Sequence, residues 1–293
     1  YVGMAGALCE EAPAARELFD RAGALLGYDL LGACAEGPAE RLNSTAVSQP
    51  AIYVASLAAV EALRAREGGA AAVEACDVAA GLSLGEYTAL AFAGALGFED
   101  GLRVVQARGE AMQAASEAAP SGMASVIGLP SAAVEELCAA AAEASGEPVQ
   151  IANYLCPGNY AVSGGLGAIA WVAEHAKPEF KARMVVKLAV AGAFHTDFMA
   201  PAVARLEEAL AVTEVRAPRI PVVSNVDARP HSDPATIKAL LARQVTSPVQ
   251  WEATLGALKD RGLESAHEVG PGKVIAGIWK RIDKGMSVTN VEA

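Results

Sequence analysis

The chain has 293 residues, of which 53% are hydrophobic and 19% charged. That length corresponds to about two domains of ~150 residues, and the composition excludes a disordered or collagen-like chain. The net charge of −11, from 23 basic and 34 acidic residues, argues against nucleic acid as a partner, because phosphate neutralisation needs a basic face.

Residue types exclude more. The apolar runs Ala51–Val60 and Thr88–Phe98 fall short of the ~18 residues that span a bilayer, so no membrane partner is expected. Five cysteines (Cys9, Cys34, Cys76, Cys138, Cys156) have no Cys-x-x-Cys spacing and are odd in number. Neither a zinc site nor a disulfide framework is expected, and a reducing compartment fits better. No metal, cofactor or signal peptide is anticipated, and a monomer is. Tyr1 is not a natural start, so removal of a true N-terminus is expected.

In chain order, strand-like and helix-like patterns alternate, which is the α/β signature. Ala12–Leu26 and Gln49–Arg66 read as helices, Asp77–Leu82 as a buried strand, and Gly85–Leu96 and Phe98 to about Ala119 as helices. Between Ser121 and Leu188 the order becomes βαββαβ: strand Met123–Leu129, helix Ser131–Ala144, strands Val149–Asn153 and Tyr160–Ser163, helix Gly167–Ala176, strand Met184–Leu188. That is the order of a ferredoxin-like unit. Residues 121–188 therefore read as a small subdomain inserted into a larger one made of residues 1–120 and 189–293. Afterwards come helix Met199–Leu210, strand Ile220–Ser224, helix Asp233–Val245, strand Gly262–Val269 and a helix from Lys273.

The strongest chemical signal is Gly81-Leu82-Ser83-Leu84-Gly85, placed between a strand and a helix. In that context Gly-x-Ser-x-Gly is a nucleophile elbow. The helix N-terminus behind the serine favours developing negative charge. A serine needs a base. His175 reads as a surface residue and His231, near Asp233, as a loop residue. His195 and His267 both end strand-like runs, where α/β sheets present functional groups; spacing does not choose between them. Arg103 and Arg108 sit on the helix after the elbow. Either could be an internal cation awaiting an anion, or a surface partner of Glu99 or Glu110.

Motifs now combine. Gly81-Leu82-Ser83-Leu84-Gly85-Glu86-Tyr87, Gln106-Ala107-Arg108-Gly109, Gly192-Ala193-Phe194-His195, Ser224-Asn225-Val226-Asp227, Pro248-Val249-Gln250-Trp251 and Glu268-Val269-Gly270-Pro271-Gly272-Lys273 occur in one order along the chain. Together they resemble the malonyl-CoA:acyl-carrier-protein transacylase family. The resemblance implies an α/β-hydrolase-like large subdomain with an inserted ferredoxin-like one. It implies malonyl-CoA and acyl carrier protein as partners, and transfer through a malonyl-serine ester that supplies fatty-acid synthesis. It assigns Ser83 as nucleophile and His195 as base. Arg108 is assigned to the malonyl carboxylate, the Leu84 N–H to the oxyanion, and the main-chain carbonyl of Gln250 to orienting the histidine. Phe194 is implied to select malonyl over methylmalonyl by its volume.

Two departures accompany the resemblance. Leu82 stands where the family usually has histidine. The family's N-terminal Gly-Gln-Gly-x-Gln segment, whose glutamine N–H completes the oxyanion hole, is not seen; Val2-Gly3-Met4 matches the family residues just after that segment. The Leu82 variant and the Glu179–Met199 stretch look plastid-like, so the plastid stroma is expected over a bacterial cytoplasm. Lys177, Lys181, Arg183 and Lys187, or Lys280, Arg281 and Lys284, are expected to steer the carrier. The rival readings are an α/β-hydrolase esterase using Ser83, Asp227 and His267, and a non-catalytic carrier-binding domain.

Overall fold

The computed structural model describes residues 1–293. Six helices come first: α1 (Gly6–Glu11), α2 (Pro13–Leu26), α3 (Leu30–Ala35), α4 (Ala39–Asn43), α5 (Thr45–Ala65) and α6 (Gly69–Glu74). Strand β1 (Ala79–Ala80) then leads through the elbow into α7 (Leu84–Phe92) and α8 (Phe98–Ala118). The short α1, α3, α4 and α6 have too few residues to show a periodic apolar face, and the sequence reading has no counterpart for them.

Helix α5 is four residues longer at its start than its sequence pattern suggests. It runs through Pro50, although proline removes an internal hydrogen bond. Close packing against α8 compensates: Gly109 of α8 lies where a Cβ would come within 2.8 Å of the Thr45 carbonyl oxygen. At 21 residues α5 is long and apolar enough to cross a membrane, contrary to the count of its apolar run alone. Here it is a core helix, with Ala51, Tyr53, Val54, Ala55, Ala58 and Ala59 fully buried. Small alanines permit close helix approach, which is why this alanine-rich chain packs with few aromatics.

The next elements are β2 (Ser121–Ile127), α9 (Ser131–Ser145), β3 (Val149–Cys156), β4 (Asn159–Gly165), α10 (Leu166–His175) and β5 (Met184–Lys187). The four strands form one antiparallel sheet in the order β3-β4-β2-β5. That is ferredoxin-like topology, with α9 and α10 burying Val134, Leu137, Ile169 and Val172 against Val126 and Val162.

Beyond it lie α11 (Ala200–Val212), β6 (Val222–Val223), α12 (Pro234–Gln244), α13 (Trp251–Asp260), β7 (Ser265–Val269), α14 (Val274–Ile282) and β8 (Ser287–Val291). Helix α13 and strand β8 lie outside the elements read from the sequence. Strands β1 and β6 pair in parallel over only two residues each, as do β7 and β8 over five. The strands expected at 77–82 and 220–224 are thus shorter than their apolar patterns. Pro221 has no N–H for a ladder, and after Ala80 the chain leaves the sheet for the elbow. The fold is α/β, with a hydrolase-like part carrying the elbow and the ferredoxin-like sheet packed beside it.

The elbow's two glycines are not equivalent. A Cβ on Gly81 would collide with the Gly85 carbonyl and stand 2.6 Å from the Glu86 nitrogen, whereas one on Gly85 meets nothing within 4 Å. We expect Gly81→Ala to cost about 1–3 kcal/mol, as overpacking against rigid backbone does. Gly85→Ala should be neutral or gain up to ~1 kcal/mol of helix propensity. Urea unfolding of both variants checks this; equal effects would contradict the steric assignment.

Candidate active site

Ser83 forms the sharp turn between β1 and α7 at φ 51°, ψ −104°, a strained conformation for a residue with a side chain. Asn225, fully buried, holds both flanks of that turn. Its Oδ1 accepts from the Ser83 N–H at 2.6 Å and its Nδ2 donates to the Gly81 carbonyl at 2.7 Å. The Ser83 hydroxyl therefore projects past the first turn of α7. The Leu84 N–H, at N1 of that helix, has no intrahelical acceptor.

His195 meets the serine: Oγ and Nε2 are 2.9 Å apart. Its Nδ1 lies 2.9 Å from the main-chain carbonyl oxygen of Gln244. A carbonyl only accepts, so the proton sits on Nδ1 and Nε2 offers its lone pair to the serine hydroxyl. The sequence expectation named Gln250 for this carbonyl, and the structure corrects it to Gln244. Gln244 is the last residue of α12 and residue 248 is a proline, so its carbonyl lacks the usual donor four residues ahead; it takes only a long 3.3 Å bond from the Ser247 N–H and keeps a lone pair for the ring. The Gln250 carbonyl instead accepts from both the N–H and the hydroxyl of Thr254 at 2.9 Å, in the first turn of α13.

Of the two arginines, Arg103 pairs with Asp100 and Glu99 at the surface, while Arg108 is only 2% exposed. Its Nη1 donates to Gln49 Oε1 at 2.5 Å, and its Nη2 to Gln244 Oε1 at 3.0 Å and Ser83 Oγ at 3.1 Å. Its guanidinium carbon lies 5.3 Å from the centre of the Tyr87 ring, a cation–π contact. Its Nε has no partner within the protein. A buried cation satisfied only by neutral groups, beside a nucleophile, is suited to an anionic substrate group.

The other sequence candidates separate clearly. Phe194 is half-buried and packs with Met123, Ala152 and Ala161 of the four-stranded sheet as well as with the large core, so it stands beside His195 at the joint between the two parts. Leu82 packs among Val223, Trp251 and Leu255, an apolar setting that does not call for histidine. His267 is exposed on β7, and Asp227 pairs with His231 at 2.9 Å. The Ser83–Asp227–His267 triad is therefore not assembled. The residues that sequence reasoning missed are Gln49, Gln244, the side chain of Asn225, and Glu86. Their signal was polarity in otherwise apolar segments, which identifies burial of a polar group but not its partner.

Burial lowers the His195 pKa from 6.5 to about 4, the nearby Arg108 charge adds to the fall, and the ring's hydrogen bonds to the Gln244 and Ser247 backbone oppose it. The base is therefore neutral near neutral pH. In the unfolded chain the ring takes a proton once the pH falls below 6.5; in the folded chain it does not until about 4. Its contribution to stability is complete above 6.5 and is lost as the pH falls towards 4. We expect His195→Asn, which cannot charge, to lose about 2 kcal/mol less than wild type between about pH 6.5 and 5. Urea midpoints across that range test this, and parallel curves would contradict it.

The chain is similar to known proteins over nearly its whole length. Residues 1–284 match the acyl transferase domain family. Human malonyl-CoA-acyl carrier protein transacylase, mitochondrial, is 43% identical over 289 residues, covering 95% of this chain and 73% of that protein. The Bacillus subtilis malonyl CoA-acyl carrier protein transacylase is 37% identical, covering 99% of this chain and 89% of the relative. The solved transacylase of Coxiella burnetii superposes with a TM-score of 0.92 at 33% identity, covering 99% of this chain and 90% of that one. A malonyl-transacylase solved with a type II PKS acyl-carrier protein superposes at 0.91 and 33% identity, covering 99% and 91%. With an elbow serine, its histidine and a matching fold over nearly the whole length, this chain belongs to the acyl transferase domain family.

Proposed function

We propose that the protein transfers the malonyl group of malonyl-CoA to the phosphopantetheine thiol of acyl carrier protein, supplying fatty-acid synthesis. The observation that carries this is Arg108, a buried cation 3.1 Å from the nucleophile with no carboxylate of its own. The relatives named as malonyl-CoA-acyl carrier protein transacylases support the same substrates.

The steps follow from the geometry. Ser83 Oγ attacks the thioester carbonyl as its proton passes to His195 Nε2. The oxyanion meets the Leu84 N–H, and the guanidinium holds the malonyl carboxylate. Collapse breaks the C–S bond, and the CoA sulfur leaves with the proton from His195. The phosphopantetheine thiol then gives its proton to His195 and attacks the ester, and Ser83 recovers its proton. Gln244 orients the ring in place of a triad carboxylate, so Ser83 and His195 act as a dyad. We assign residues 1–120 and 189–293 to the part that performs the chemistry and 121–188 to the part that closes one side of the cleft.

The basic side chains Lys177, Lys181, Arg183 and Lys187 are exposed around β5, and Lys280, Arg281 and Lys284 at the end of α14. In a chain of net charge −11, local basic clusters are what an acidic carrier would need for steering. The relatives include mitochondrial-named and bacterial proteins. Our finer reading, the plastid stroma, rests on Leu82 and the 179–199 stretch. A fluorescent fusion of the full coding sequence found outside plastids would overturn it.

One assay tests the site: acyl transfer from malonyl-, methylmalonyl- and acetyl-CoA in competition, with the Ser83 adduct read by intact mass. Ser83→Ala should form no adduct, and His195→Ala should lose at least ~10²-fold. Arg108→Ala should lose malonyl transfer sharply and raise the relative use of acetyl-CoA. Phe194→Ser should relax a malonyl preference over methylmalonyl of about 10- to 200-fold. Equal use of acetyl and malonyl donors by wild type would overturn the role of Arg108. In the same assay, charge reversal at both basic clusters should weaken the carrier's apparent affinity and its salt dependence; no change would remove them from docking.

A further inference from the structure

Glu86 lies three residues after Ser83, in the first turn of α7, and is 3% exposed. No step above uses it. Its Oε2 accepts from Gln244 Nε2 at 2.6 Å and from the Asn225 N–H at 3.0 Å. The same Gln244 nitrogen donates to the Ser83 carbonyl at 3.1 Å, while Gln244 Oε1 accepts from Arg108 at 3.0 Å. The Gln244 main-chain carbonyl holds the ring of His195. One glutamine therefore touches the elbow, the cation and the base.

The two ends of an amide differ only in hydrogen-bond polarity. A carboxylate only accepts, so Glu86 requires the nitrogen end of Gln244 to face α7. The oxygen end is thereby turned to the guanidinium. In the flipped amide, Gln244 Nε2 would oppose Arg108 Nη2, donor against donor, and Oε1 would oppose the carboxylate. Both clashes are buried, where mispaired polar groups are costly.

We propose that Glu86 is a positioning residue for acyl transfer, its ionised carboxylate fixing the Gln244 amide and, through it, Arg108 and His195. This rests on the transferase reading. The groups facing Glu86 are the Gln244 side chain from α12, the Asn225 N–H and Ser224 hydroxyl from the β6 loop, and the Arg108 charge from α8. Burial raises the Glu86 pKa to about 7, against the pull of those hydrogen bonds and of Arg108. As the pH falls through that value the carboxyl gains a proton, becomes a donor too, and its hold on the Gln244 amide weakens. The neighbouring titratable groups do not change charge there: His195 stays neutral down to about 4, burial moves Tyr87 upward, and Arg108 stays charged.

The test is the rate of malonyl adduct formation on Ser83, by rapid quench and intact mass, for wild type and Glu86→Gln from about pH 5.5 to 8.5. Glutamine has the same shape but no charge, so residue 86 restrains the Gln244 amide less firmly, and only Arg108 and the Ser83 carbonyl still favour the native orientation. Wild type should fall by about tenfold in all as the pH drops through about 7 and then level off near the rate of the uncharged variant. Glu86→Gln should lack that limb and stay about tenfold below the wild-type plateau, because Gln244, and through it Arg108 and His195, is held less firmly. A wild-type profile without an acid limb near 7, or a Glu86→Gln profile that retains it, would overturn the proposal; the first needs no variant to fold. Absence of any Ser83 adduct in wild type at every pH would instead overturn the transferase reading itself.

Discussion

A guanidinium taken out of water must be compensated, and that requirement organises this molecule. Arg108 sits on an alanine-rich helix at the centre of the larger part, where an isolated charge would be prohibitively costly. Its compensation is neutral: two glutamine oxygens and an aromatic face. A directly contacting carboxylate would have neutralised the cation and left nothing for a substrate anion. Amide oxygens hold the fork in place while leaving its charge available. The arrangement needs α5 to deliver Gln49 and α12 to deliver Gln244 to the same point, and the Gly109 contact brings α8 close enough to α5 for the first.

Around that cation the elbow supplies a second constraint. Ser83 adopts a backbone conformation that costs on the order of 1–3 kcal/mol. Asn225 holds the strained turn from both sides. The strain directs the hydroxyl to the space shared by His195 and Arg108, and puts the N-terminus of α7 behind it. Helices α5, α8 and α12 deliver Gln49, Arg108 and Gln244, and three non-helical segments deliver Ser83, His195 and Asn225, so the site exists only when the larger part is folded.

The four-stranded sheet is tied to this site by backbone as well as side chains. Tyr154 N–H donates to the Val249 carbonyl at 3.0 Å, and Val249 N–H to that of Ala152 at 2.8 Å. The Ser121 hydroxyl accepts from the Ala193 N–H at 3.0 Å, two residues before His195. Phe194 packs across the same joint. The sheet's placement therefore bears on the position of His195 and on the volume beside it.

Much of this was written in local patterns. The βαββαβ order of residues 121–188 was legible because each strand and helix there is long enough to show its own period. Ser83 was legible because a sharp strand-to-helix turn demands glycine beside it, a local steric requirement. Other features are decided only by long-range packing. Strands β1 and β6 were legible in place, within 77–82 and 220–224, but their two-residue extent is set by the departure of the chain for the elbow and by Pro221. The choice of His195 over His267, and of Arg108 over Arg103, depends on which side chain faces inward across more than a hundred residues of chain. Gln244 and Gln250 look alike in sequence. One ends a helix with a carbonyl that lacks its i+4 donor and the other begins a helix whose first turn takes its carbonyl, and only the tertiary structure brings the first to the histidine.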